Sequence, residues 1–275
     1  MPTIIILEHL MQEGFDRPYI VYALAERWRT QGHEILIHYG TGDPPPGDIA
    51  IVNIDLTVIP SAYVRLFDLY PRVINGATTD ISKRGFSQLV LERDSDWTGP
   101  VLIKTDAHFG GRIDRRLRQR AIDAGQAPDI PLSVTLKDYP ILRSITEVPP
   151  KVWDNHGLIV EKFIPEQDEH GYYMRVWVFF GDQERSFRFR ANVPNIKSHH
   201  IQEREAVAVP QEIHNWRRRL GFDFGKFDYL MLHGEPMLID TNRTPGTPPD
   251  YVSKPDVSAG MGILSQGLDS FLNSN

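Results

Sequence analysis

The sequence predicts a mixed α/β chain with α+β parts, and three patterns carry that expectation. The first forty residues alternate strand, helix and strand, as a βαβ unit does. From Leu158 onward, strands follow one another with little helix between them. Gly221 to Gly246 then reads as a β-hairpin whose strands carry two acids and an amide. At 275 residues the chain exceeds the commonest domain size, so one compact unit of two or three subdomains is expected.

Thr3 to Leu7 is a short apolar run suited to a buried parallel strand. Pro18 to Gln31 has helical spacing through Ile20, Leu24 and Trp28, with Gly32 as a stop signal. Glu34 to Tyr39 alternates as a strand. Asp48 to Asn53 and Arg72 to Asn75 read as two more strands, separated by a helix from Pro60 to Tyr70. No G-x-G-x-x-G follows the first strand, so the dinucleotide fingerprint is missing from this Rossmann-like start. Pro44-Pro45-Pro46 and Pro149-Pro150 mark loops. Lys83 to Leu91 reads as a short helix, Val101 to Lys104 as a strand, and Ile113 to Ala121 as a basic helix behind a Gly110-Gly111 loop. Leu158 to Phe163, Arg175 to Phe180 and Arg185 to Ala191 are strands, and Gln211 to Leu220 is a helix.

Composition narrows the function classes. Hydrophobic residues make up 41% of the chain and charged residues 24%, ordinary values for a soluble globular protein. A net charge of −6 argues against broad nucleic-acid binding. The absence of cysteine excludes disulfides, thiolate metal sites and a cysteine nucleophile. With no long apolar run and no basic region before the first strand, no membrane association is expected and a cytoplasmic protein is the default reading. His199 and His200 read as a solvent loop, and His108 stands beside the glycine loop.

The hairpin holds the most specific chemistry. Alternation points Asp240 and Asn242 to one face of the sheet, with His233-Gly234-Glu235 as the turn. Antiparallel pairing can bring Asp228 to that face. Two carboxylates and an amide oxygen with room for phosphate suit Mg²⁺, a hard cation that prefers oxygen ligands.

Other polar residues fall in an order that extends this site. The segments I-N-G-A-T-T-D-I-S-K, V-L-I-K-T, L-I-V-E-K-F-I, Y-M-R-V-W-V and L-I-D-T-N-R-T-P-G place Lys83, Lys104, Glu161, Arg175, Asp240 and Asn242 in series. This series, over about residues 74 to 250, resembles the ATP-grasp superfamily, in particular its ribosomal-protein glutamate ligase and D-alanine–D-alanine ligase types. The resemblance implies two α+β subdomains clamping a nucleotide. A Rossmann-like subdomain (1–75) would precede a small subdomain with the glycine loop (76–160) and a C-terminal subdomain with the Mg-ATP site (161–275).

The resemblance also implies roles. Lys83 and Lys104 would bind ATP phosphates, with Gly110 and Gly111 letting backbone N–H groups approach them. Glu161 would accept from the adenine amine, and the backbone of Lys162, Phe163 and Ile164 would read the ring edge. Asp168, or Glu166, would hold the ribose. Arg175 would sit in the cleft, Arg188 and Arg190 would extend its positive face, and Lys226 would steady developing negative charge. Asp228, Asp240 and Asn242 would hold Mg²⁺, with Mn²⁺ as an alternative. Asp240 departs from the commoner glutamate and reaches less far by one methylene. The implied activity is ATP-dependent ligation: a small-molecule or peptide carboxylate becomes an acyl phosphate and an amine displaces phosphate. A hydroxyl phosphotransferase and a non-catalytic nucleotide-binding protein use the same fold. The resemblance also allows a homodimer.

Overall fold

The computed structural model describes residues 1–136, 138–247 and 254–273. Its N-terminal part is a parallel sheet of β1 (Thr3–Glu8), β2 (Glu34–Tyr39), β3 (Ile49–Val52) and β4 (Val73–Ile74), ordered β2-β1-β3-β4. β1 is central, and its Ile4, Ile5, Ile6 and Leu7 are buried on both faces, which explains the uninterrupted apolar run. Between β1 and β2, α1 (Ile20–Thr30) covers one face through Val21, Leu24 and Trp28. The segment expected as one helix from Pro60 to Tyr70 is instead α2 (Ser61–Val64) followed by a 3₁₀ turn, Phe67–Leu69. The break seats Tyr63, Phe67 and Tyr70 in one core, with the Tyr70 hydroxyl donating to Pro45 O at 3.1 Å.

The middle of the chain forms an antiparallel three-stranded sheet, ordered β6-β5-β7. It comprises β5 (Val101–Thr105), β6 (Ile141–Leu142) and β7 (Leu158–Lys162), with α3 (Arg112–Asp123) and α4 (Pro150–Trp153) between them in sequence. α3 packs Ile113, Leu117 and Ala121 onto the far face of the N-terminal sheet. The helix expected over Lys83 to Leu91 is only a 3₁₀ turn, Lys83–Gly85. Beyond it the chain pairs with β7: Lys162 N donates to Leu89 O and Leu91 N to Val160 O, both at 2.8 Å. Tertiary pairing overrides the local helical pattern there.

The last sheet is antiparallel. It contains β8 (Glu166–Asp168), β9 (Gly171–Phe180), β10 (Gln183–Ala191), β11 (Glu203–Ala206), β12 (Phe224–Leu232) and β13 (Glu235–Asn242). Its order is β11-β10-β9-β12-β13, and β8 also pairs with β9. α5 (Gln211–Arg219) covers one face, where Trp177, Phe179, Phe227 and Tyr229 form an aromatic core with Ile213. Helices α6 (Pro255–Gln266) and α7 (Asp269–Leu272) follow. Met261 and Leu264 of α6 pack beside Ile4, Ile6 and Trp28, and Trp28 Nε1 donates to Ser265 O at 2.8 Å. Among the described residues, no helix is long and apolar enough to cross a membrane.

Candidate active site

A cleft of about 440 Å³ opens between the three-stranded sheet and the face of the antiparallel sheet bearing Asp228 and Asp240. Ten of the residues singled out from sequence line it. Lys83, Lys104 and Gly110 stand on one wall, Glu161, Lys162, Phe163 and Ile164 follow β7, and Lys226, Asp228 and Asp240 lie opposite. Leu89, Leu102, Met174, Leu230 and Ile239 supply an apolar slot. Lys162 N and Phe163 N donate to Leu89 O and Pro100 O at 2.8 and 2.9 Å. Ile164 therefore holds the backbone donor of this trio that no described group occupies.

The acids converge because the hairpin is in register. Asp228 faces Asp240 directly, and Lys226 faces Asn242. A bulge follows, so that Tyr229 faces Leu238 and Ile239 is the extra residue. It re-aims the strand beside the site, a common use of bulges. His233 and Gly234 both have positive φ, 53° and 87°, which suits a two-residue hairpin turn. Glu235, expected in the turn, begins β13.

Three lysines surround these acids, Lys83 and Lys104 buried and Lys226 partly exposed. Lys83 is 1% exposed; its Nζ donates to Ala107 O at 2.8 Å and lies 3.4 Å from Asp240 Oδ1. Lys104 Nζ lies 3.0 Å from Glu161 Oε2 and donates to Ile239 O at 3.2 Å. Lys226 Nζ donates to Asp228 Oδ2 at 3.0 Å. Burial raises the Asp228 pKa, the Lys226 charge offsets part of this, and Asp240 raises it further. Burial would also raise Asp240, but Lys83 and Lys104 outweigh it and hold the group below its ordinary value. Burial alone would lower Lys104, yet Glu161 and Asp240 raise it.

The donor set fits Mg²⁺. Asp228 Oδ1 and Asp240 Oδ1 are buried and accept no hydrogen bond from any described residue. Carboxylate oxygens on directly facing residues that accept no hydrogen bond are what a divalent cation satisfies. No group of three or more His, Cys, Asp or Glu arranged for a metal occurs among the described residues. A cation held here would need further oxygen ligands, from phosphate or water, to complete its shell.

Seven expected residues, Arg175, Arg188, Arg190, Glu166, Asp168, Asn242 and Gly111, stand outside the cleft lining. Arg175 faces Tyr229 on β12 and Arg188 on β10, whereas Asp228 faces Val176. Side chains alternate along a strand, so both arginines lie on the sheet face opposite the acids. Arg175 pairs with Glu166, while Arg188 pairs with Glu205 and stacks on Tyr173 at 4.6 Å. Arg190 shares that face and pairs with Glu203. Asp168 accepts from the Tyr173 hydroxyl at 2.9 Å, which holds it on β8. Asn242 Oδ1 accepts from Thr244 N at 2.8 Å and shapes the following turn. Gly111 packs its backbone against Val134 O, which an added Cβ would approach to 2.4 Å. Glu161 does line the cleft, but its carboxylate faces Lys104 and accepts from Ser87 Oγ at 2.6 Å.

Sequence reasoning missed a polar seam beside the cleft. Asp55, just past β3, accepts from Arg17 at 2.6 Å, the Tyr19 hydroxyl at 2.8 Å and Thr244 Oγ1 at 2.7 Å. Arg243 is fully buried and donates to Thr78 O, Ile54 O and Leu56 O. Lys197 meets Asp138 at 3.3 Å across the cleft mouth. The signal for Asp55 was its place at the carboxyl end of a parallel strand, where open α/β sheets bind ligands.

No family model and no curated protein sequence matches the chain. Solved structures do. D-alanine–D-alanine ligase from Bacillus anthracis complexed with ATP is 13% identical, with a TM-score of 0.55 over 99% of this chain and 96% of that one. ATP-grasp ligase PsnB, complexed with a phosphomimetic precursor variant, Mg and ADP, is 12% identical, with a TM-score of 0.57 over 97% and 98%. A RimK domain ATP-grasp protein from Sphaerobacter thermophilus is 13% identical, with a TM-score of 0.52 over 98% and 100%. The likeness spans nearly the whole chain and shows that it has the ATP-grasp fold.

Proposed function

We propose that this chain is an ATP-dependent carboxylate–amine ligase. One observation carries the reading: two buried lysines, Lys83 and Lys104, the partly exposed Lys226 and two facing carboxylates converge beside an apolar slot in a single cleft. The slot takes the adenine ring, with Ile164 N–H donating to its edge. Lys83 and Lys104 bind phosphate oxygens, and Lys226 steadies charge that develops as the γ-phosphoryl group moves. Asp228 and Asp240 hold Mg²⁺, which offsets charge on the phosphate oxygens when bound. A substrate carboxylate attacks the γ-phosphorus, ADP leaves, and an amine displaces phosphate from the acyl phosphate. The contribution of these side chains is positioning and charge stabilisation. Losing one such contact costs on the order of 10²–10³ in rate.

Both D-alanine ligase and the precursor-bound PsnB complex share the fold, and a free acid or a peptide carboxylate suits the open mouth formed by Phe109, Tyr139 and residues 194–197. The test is a screen for ADP release against amino acids and small peptides, followed by product analysis. Free phosphate together with an amide is the expected outcome. A stable phosphorylated product would assign the same cleft to a phosphotransferase and overturn ligation.

A further inference from the structure

His108 is a buried titratable group that the scheme above does not use. It is 2% exposed, and neither ring nitrogen has a hydrogen-bond partner among the described residues. Its backbone N–H donates to Thr57 Oγ1 at 2.9 Å, which fixes the start of the glycine loop. The next two residues, Phe109 and Gly110, line the cleft, and both have positive φ, 48° and 67°. For phenylalanine that conformation is strained, and such strain collects at functional sites.

Carboxylates from three elements act on His108: Asp55 beyond β3, Asp114 on α3 and Asp240 on β13. Among the described residues its ion-pair contact is Asp55, whose Oδ1 lies 3.6 Å from His108 Nε2. Burial opposes the Asp55 charge, but His108 and Arg17 outweigh it and hold the carboxyl at about 2. The Asp55 charge is therefore fixed, and it supplies a counter-charge to an imidazolium formed beside it. The position also matters. In the order β2-β1-β3-β4 the chain switches direction at β1, and ligands of open α/β sheets bind outside the carboxyl ends of the strands at such a point.

We infer that a primary amine acceptor docks against His108, between the glycine loop and the carboxyl end of the parallel sheet, and that the imidazole takes its proton. This rests on the ligase reading. The amine arrives as an ammonium ion. One N–H bond breaks toward an imidazole nitrogen, and the electron pair left on nitrogen attacks the acyl carbon. The C–O bond to phosphate then breaks with its pair on oxygen, and the second amine proton goes to phosphate. The products are an amide, inorganic phosphate and a protonated His108.

Hydroxylamine separates this step from activation, because it is uncharged near neutral pH and needs no proton removed before it attacks. With an acid substrate from the ADP-release screen, wild type and His108→Gln are each given hydroxylamine or a protonated alkylamine, and hydroxamate and amide are measured. The ratio of amide to hydroxamate falls about 10²-fold in the variant, within the range a general base supplies. Its amide rate recovers as pH rises toward the pKa of the alkylamine. His108→Asn serves as the check if glutamine disturbs folding. An unchanged ratio, with both products falling together, overturns the role of His108. Absence of hydroxamate in wild type with every acid overturns the ligase reading itself.

Discussion

Asp228 and Asp240 face one another yet differ in electrostatic setting. Burial and mutual repulsion push Asp228 up, while Lys83 and Lys104 hold Asp240 down. A cation between them favours ionisation of both, so metal binding and proton release are linked. A second carboxyl, Glu8 at the end of β1, is 1% exposed; burial lifts its pKa from 4.5 to about 7, although Tyr22 and Asn53 donate to it. The folded value lies above the unfolded one. Its contribution is therefore fully present below about pH 4.5 and lost as pH rises through about 7, a change of roughly 3 kcal/mol. Glu8→Gln abolishes that part of the pH dependence. Melting temperatures measured near pH 5 and pH 8 (~3 units apart) should lie closer together in the variant, and an unchanged gap would contradict the assignment.

Among the elements, the hairpin was legible because alternation on Asp240 and Asn242 and the His233-Gly234 turn agree with one register. The bulge at Ile239 was not, since a bulge is set by neighbouring strands and leaves no local mark. The 3₁₀ turn at Lys83 was hidden for a related reason: pairing of Leu89 and Leu91 with β7 decides the conformation there. The glycine loop shows how two adjacent glycines differ. At Gly111 (φ 69°) a Cβ would come within 2.4 Å of Val134 O, whereas at Gly110 (φ 67°) it would meet the Tyr139 hydroxyl at 3.4 Å. Both substitutions are strained, but only Gly111→Ala adds a backbone clash. It should destabilise the fold by about 1–3 kcal/mol, more than Gly110→Ala, in chemical denaturation. Equal or reversed costs would show that the loop yields freely.

At the scale of the whole molecule, order and spacing along the chain were enough to anticipate the fold and the ten residues that share the cleft. The arginines were not placed by the same reasoning. Their face depends on register across β9, β10 and β12 together, and Arg175 and Arg188 end opposite the acids. Beyond the place of Asp55 at a strand's carboxyl end, the polar seam was not legible, because Arg17, Asp55 and Thr244 meet only when the turn after β13 docks on the N-terminal sheet. Ile20 N donates to Pro245 O and Thr247 N to Pro18 O at that junction, at 2.8 and 2.9 Å. Asp228 of β12, Asp240 of β13 and the carboxyl ends of β1 and β3 are thereby held in one assembly. The central claim is that this assembly binds Mg-ATP through Asp228 and Asp240. Calorimetric titration of a non-hydrolysable ATP analogue, with and without Mg²⁺, into wild type and Asp240→Ala tests it most directly. Mg²⁺ should tighten binding to wild type and have little effect on the variant; Mg²⁺-dependent tightening of equal size in both would contradict the assignment.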